Sequence, residues 1–128
     1  MKSNLLILLL ALTPLAAVAD GDATAGQAVF ESNCTRCHTI GSNARNVFGP
    51  QLNGLFGRKA GTAQGYHYTD AMRNSGIVWS TDTLAAFVKD PSGVVSGTRM
   101  QFWGLSDAQK VADLLAYLKA NPVTQDSP

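Results

Sequence analysis

Apolar positions repeat with helical spacing most clearly near the C-terminal end. Val111, Leu114, Leu115 and Leu118 fall at i, i+3, i+4 and i+7 and make one face of an α-helix. Ser106 followed by Gln109 reads as a capping box at its start, and Asn121-Pro122 stops it. Toward the other end Asp22 can cap a helix running to about Asn33. Ala25, Val29 and either Ala28 or Ser32 share its face, with Phe30 beside it. Gly26 inside that helix costs about 1 kcal/mol relative to alanine, which points to a close helix crossing.

The middle of the chain has no such pattern. Gly41, Gly49, Gly54, Gly57, Gly61 and Gly65, with Pro50 and Asn43, Asn46 and Asn53, break both helix and strand. Thr69 can then cap a short helix ending at Gly76, and Thr81 another through Leu84, Phe87 and Val88 to Asp90-Pro91. Pro91 to Gly104 forms a second long loop. With no alternating strand pattern and no repeat, the fold class is all-α with short helices. Two long loops in so small a domain need something to fold around.

The opening residues belong to another category. Lys2 supplies a short positive region, Leu5 to Val18 an apolar stretch broken by Thr13 and Pro14, and Ala17-Val18-Ala19 a small-x-small cleavage site. The stretch is shorter than the roughly 20 residues a spanning helix needs. Residues 1–19 therefore read as a cleaved signal peptide and 20–128 as one domain, exported to the periplasm. Cleavage removes one of ten Lys and Arg against nine Asp and Glu, so the remaining chain is formally neutral.

Composition narrows the chemistry. A charged fraction of 15% with 45% hydrophobic residues argues against disorder and against a basic nucleic-acid-binding domain. Two cysteines are too few for a disulfide scaffold, and two histidines beside them leave a closed four-ligand zinc site hard to assemble.

The informative string is Cys34-Thr35-Arg36-Cys37-His38. Chance would produce such a Cys-x-x-Cys-His string in roughly one chain in two thousand of this length and composition. On a helical segment residues three apart project from one face, as two thioether bonds to one haem edge require, and His38 follows directly to reach the iron. A thiol–disulfide redox site would follow a strand in a βαβ unit, and this pair follows a helix. A metal knuckle would need two more ligands, and only His67 remains as a nitrogen donor.

A thioether as the sixth ligand distinguishes an electron carrier, because it favours ferrous iron. Beyond the signal peptide the choices are Met72 and Met100. Met72 falls in a short helix, where a core role suits it. Met100 lies in a glycine-punctuated loop, Gly97 to Gly104, which favours it as the ligand.

At this level of detail the chain resembles a small soluble class I cytochrome c over nearly its whole length after residue 20. The matching stretches are Gly21-Asp22-Ala23 through Gly26, Val29-Phe30, Cys34 to His38, Phe48-Gly49-Pro50 and Leu52 to Leu55. They continue through Gly57-Arg58, Gly65-Tyr66, Tyr68-Thr69, Ser75 to Ile77, Trp79, Gly97-Thr98, Met100, Phe102 and Asp113 to Leu118. The resemblance implies crossing N- and C-terminal helices with shorter helices and loops wrapped around one haem c, covalently bound through Cys34 and Cys37. It implies His38 and Met100 as axial ligands to iron, and a Pro50 carbonyl that takes the His38 Nδ1 proton. It also implies that Tyr68 and Trp79 bond the haem propionates, with Arg58 a compensating charge nearby.

Three positions depart from the family pattern. Ser96 stands where proline is usual, which removes a φ constraint from the ligand loop. Met72 replaces a common asparagine, and Trp103 adds aromatic area beside Phe102. The function implied is one-electron transfer between respiratory or photosynthetic complexes, with no enzymatic activity and no small-molecule substrate. A peroxidase or gas-binding sensor is the alternative, favoured only by Ser96; a fixed haem subunit of a larger oxidoreductase is another. The implied partners are transient, membrane-bound redox proteins that meet a monomer, and not nucleic acid. With few lysines, docking is expected to use an apolar patch at Phe102 and Trp103.

Overall fold

The structure, a computed structural model, describes residues 20–121; the signal-peptide reading of residues 1–19 lies outside them. Five helices follow in order: α1 Ala23–Asn33, α2 Asp70–Arg73, α3 Thr81–Lys89, α4 Pro91–Val94 and α5 Ala108–Lys119. Among the described residues the only strand-like pairing is an isolated antiparallel bridge between Lys59 and Val78.

The frame is the crossing of α1 and α5. Gly26 is buried where the helices touch, and a Cβ there would run into the Asp113 carbonyl and lie 2.8 Å from the Tyr117 Cβ. The glycine that weakens α1 as a helix is therefore what lets α5 approach. Phe30 and Tyr117 stack beside the crossing with ring centroids 5.4 Å apart. Leu114, 2% exposed, is the most deeply buried of the α5 face; burying one such leucine contributes about 1.5–3 kcal/mol. The Asp113 carboxylate accepts from the Asp22 main-chain N–H at 2.9 Å and from the Gln109 amide at 3.0 Å, so α5 also holds the start of α1.

Helix starts differ from the sequence reading by one residue in two places. Asp107, not Ser106, caps α5 by accepting from the Lys110 N–H, and Gln109 is turned to Asp113 instead of completing a capping box. In α3 the cap is Ser80, which forms a capping box with Thr83, so Thr81 becomes the first helical residue. Thr69 does cap α2, by accepting from the Met72 N–H, and Gly76 beyond it has φ +71°. The stretch after Asp90 is not all loop: Asp90 caps α4, with Pro91 in its first turn.

The long middle loop is tied by side-chain amides. Asn53, 7% exposed, accepts from the Gly41 N–H at 2.9 Å and donates to the Gly41 carbonyl at 2.8 Å. Asn46 donates to the Gln64 carbonyl and accepts from the Gln51 N–H. Main-chain bonds from Gly57 to Trp79, Trp79 to Arg58 and Ala60 to Ile77 then fasten residues 57–60 to 77–79. Arg58 and Trp79 are thereby brought together.

Candidate functional site

The site begins where α1 ends. Cys34 is the C-cap of α1, and its carbonyl accepts from the Cys37 N–H at 3.0 Å and the His38 N–H at 2.9 Å, so the backbone turns through all three residues without a break. Cys34 is half-buried, Cys37 is exposed, and the two are free thiols. Burial, followed by the neighbouring Cys37, pushes the Cys34 thiol up to about 11. The Cys34 sulfur is therefore uncharged at neutral pH.

His38 is fixed from the opposite loop. Its Nδ1–H donates to the Pro50 carbonyl at 2.7 Å, a bond that sets the tautomer and leaves Nε2 with its lone pair and no partner among the described residues. Burial lowers the imidazole pKa more than the Pro50 bond raises it, and Arg58 lowers it further. The ring is neutral, the form that ligates a metal. Gly49 makes the approach possible: its N–H donates to the Cys37 carbonyl at 2.7 Å, and a Cβ on it would stand 2.5 Å from His38 Cε1.

Arg58 is joined to Trp79 by a main-chain bond and interacts electrostatically with Tyr68. The Arg58 guanidinium donates to the carbonyls of Asn53 and Gln51 at 2.9 and 3.2 Å, and burial lowers its pKa while leaving it a cation. The Tyr68 hydroxyl accepts from the Ala63 N–H at 3.1 Å, and burial raises its pKa. Trp79 is buried and its ring lies 5.1 Å from that of Phe87.

Both methionines are in the interior. Met72 is a core residue of α2 at 8% exposure, and Met100 is partly buried against the same core from the loop after α4. That loop rests on α2: a Cβ on Gly97 would lie 3.3 Å from the Ala71 Cβ. The Arg99 guanidinium donates to the His67 carbonyl at 2.9 Å.

The aromatic patch differs from the expectation. Phe102 packs partly buried against the core, whereas Trp103 stands wholly in solvent and Phe48 is 83% exposed. Phe48 carries no sequence signal as a surface residue, since a phenylalanine before Gly-Pro reads equally well as core.

The residues fit a covalently held haem. Two free thiols sit one helical turn apart, a neutral imidazole beside them has its distal nitrogen free, and the Met100 thioether is partly buried in the loop after α4. Among the described residues no three of His, Cys, Asp and Glu converge to hold an ion by themselves.

Comparison with known proteins identifies the family. The family model described as Cytochrome c matches residues 23–122. The chain is 46% identical to cytochrome c2 of Blastochloris viridis over 116 residues, which cover 91% of this chain and 88% of that one. It is 44% identical to cytochrome c of Guizotia abyssinica, covering 79% of this chain and 91% of the relative. Among solved structures, cytochrome cH from Methylobacterium extorquens superposes with a TM-score of 0.73 at 44% identity, over 78% of this chain and 99% of the other.

Proposed function

The chain belongs to the cytochrome c family, and on that premise we propose that it is an exported, mono-haem carrier of single electrons with His38 and Met100 as the axial ligands. It binds haem c through Cys34 and Cys37 and is a carrier rather than an enzyme. The observation that carries the ligand reading is the His38 ring, held through Nδ1 by the Pro50 carbonyl beside two free thiols.

When bound, the haem supplies an iron that alternates between ferrous and ferric states. The chain supplies everything that makes this useful. Cys34 and Cys37 prevent loss of the group, and the Pro50 bond keeps His38 oriented and basic. Met100, on a loop that packs at Gly97 on Ala71 of α2 and is tied by Arg99 to the His67 carbonyl, would supply a thioether ligand and so keep exogenous ligands out. Trp79 and Arg58, joined by the 57–60 and 77–79 bonds, and Tyr68, which interacts with Arg58, would offer donors and one positive charge to the propionates. Residues 1–19 support periplasmic residence by their pattern of one cation, an apolar run and Ala17-Val18-Ala19. The partners are transient membrane-bound redox complexes.

An absorption spectrum of the purified ferric protein tests the reading. A long-wavelength thioether-to-iron band, with no change on adding carbon monoxide to the ferrous form, is the expected result. A spectrum without that band and with immediate carbon monoxide binding would show an open sixth position and overturn the carrier assignment.

A further inference from the structure

One asparagine of the chain precedes a glycine, Asn53-Gly54, and the fold demands both residues. Gly54 has φ +59°, a left-handed conformation that favours glycine. Asn53 closes a clasp on Gly41 with both ends of its amide, accepting from the N–H at 2.9 Å and donating to the carbonyl at 2.8 Å. Its main chain is held as well. The N–H donates to Gln51 Oε1 at 2.7 Å, and the carbonyl accepts from the Arg58 guanidinium at 2.9 Å.

The same pair carries a reactivity of its own. The main-chain nitrogen that follows an asparagine can attack the side-chain Cγ: a C–N bond forms, the C–NH2 bond breaks, and ammonia leaves with the hydrogen of the attacking N–H. Water then opens the cyclic imide at either carbonyl, giving aspartate or, with the main chain rerouted through the side chain, isoaspartate. Water is the only co-reactant. Glycine leaves the attacking nitrogen unshielded, so Asn53 is by sequence the most labile asparagine of the chain.

Folding holds this reaction off. Asn53 is 7% exposed, and swinging its Cγ onto the Gly54 nitrogen would break both bonds to Gly41. A buried group held in this way reacts only through local opening. Asn74, followed by Ser75 at the end of α2, is exposed and lacks that cover.

We propose that Asn53-Gly54 is a modification site gated by folding, at which a chain that lingers unfolded is converted irreversibly into one that cannot rebuild the Gly41 clasp. An acid at position 53 offers the Gly41 carbonyl an oxygen in place of an N–H, and it buries a charge where an amide was satisfied. The isoaspartyl product also adds a methylene to the main chain and shifts the carbonyl that Arg58 holds. Before haem attachment the long loop has nothing to fold around, so the site records delay in maturation. Once the chain is folded around its cofactor, the record stops.

The test follows the mature holoprotein at mildly alkaline pH, folded and in guanidinium chloride. The thioether bonds keep the haem in place in both, so folding alone differs. Tryptic peptides 46–58 and 74–89, read by tandem mass spectrometry, report acid formation at Asn53 and Asn74. In guanidinium Asn53 should convert faster than Asn74 and at least about tenfold faster than it does in the folded protein; folded, it should be no faster than Asn74. Equal rates at Asn53 in the two states would overturn the gating, and no conversion in guanidinium would overturn the site. Asn53→Asp holoprotein should unfold at a lower guanidinium concentration than wild type. Equal midpoints would show that the modified chain rebuilds its loop and would refute the proposed consequence.

Discussion

Arg99 reaches from the Met100 loop to the main-chain carbonyl of His67, thirty-two residues earlier, and donates to it at 2.9 Å. Ser96 lacks the rigidity that a proline there would give, and Arg99, on the same side of Met100 and next to it, supplies a restraint instead. An exposed bond of this kind contributes about 1 kcal/mol. Arg99→Ala should therefore raise the rate of cyanide binding to the ferric protein roughly fivefold, with Arg99→Lys in between. A rate identical to wild type would show that the clasp does not restrain the ligand loop.

Gly26→Ala tests the helix crossing. The methyl gained would improve α1 as a helix by about 1 kcal/mol, yet it would meet the Asp113 carbonyl and the Tyr117 Cβ directly. Overpacking of this kind costs about 1–3 kcal/mol, more where backbone must move. The net expectation is a clear loss, seen as a lower melting temperature of the holoprotein. An unchanged melting temperature would mean that the helices can separate freely.

Acid should loosen the same crossing. The Asp22 N–H and the Gln109 amide, in that order, hold the Asp113 carboxyl below its ordinary 3.8. The unfolded chain then binds more protons than the folded one, so this contribution is present above the ordinary value and is lost as pH falls through the folded one. Melting temperature against pH should drop more steeply at the acid end for wild type than for Asp113→Asn. Parallel curves would remove Asp113 from the acid response.

Much of this was legible in the sequence, for reasons that can be separated. The α5 face shows because Leu114, Leu115 and Leu118 are buried with helical spacing, and the Cys34 to His38 string shows because its chemistry demands contiguous residues. The exact helix starts do not show: Ser106 and Asp107 are both good caps, and α1's need for Asp113 and hence Gln109 decides between them. Phe102 is partly buried where an exposed patch is expected, and the exposure of Phe48 has no sequence signal, because burial of a lone aromatic in a loop depends on tertiary contacts that periodicity does not encode. Asn46 and Asn53 read as helix breakers, whereas their amides fasten the loop they interrupt.

Asn53→Ala makes that last difference measurable. It would leave both the N–H and the carbonyl of Gly41 without their partner beside a buried side chain. Each buried polar group left unsatisfied costs about 1–3 kcal/mol. A fall in denaturant midpoint with unchanged slope is the expected result; a substitution without effect would show that water replaces the amide on both sides.

Met72 and Met100 present the sharpest choice, because packing of Gly97 on Ala71 brings the ligand loop onto the helix that holds Met72. The two sulfurs nevertheless sit on different kinds of backbone. Met72 is in a capped helical turn, and its side chain is part of the core cluster with Leu55 and Trp79. Moving it onto the iron would withdraw a buried side chain and leave a cavity costing a few kcal/mol. Met100, only partly buried, is on a loop between the positive-φ glycines Gly97 and Gly104, so its thioether can reorient at a smaller loss of packing. Met100→Ala should abolish the ferric thioether band and let carbon monoxide bind the ferrous form, while Met72→Leu should keep the band and bind none. The reverse pattern would transfer the ligand role to α2.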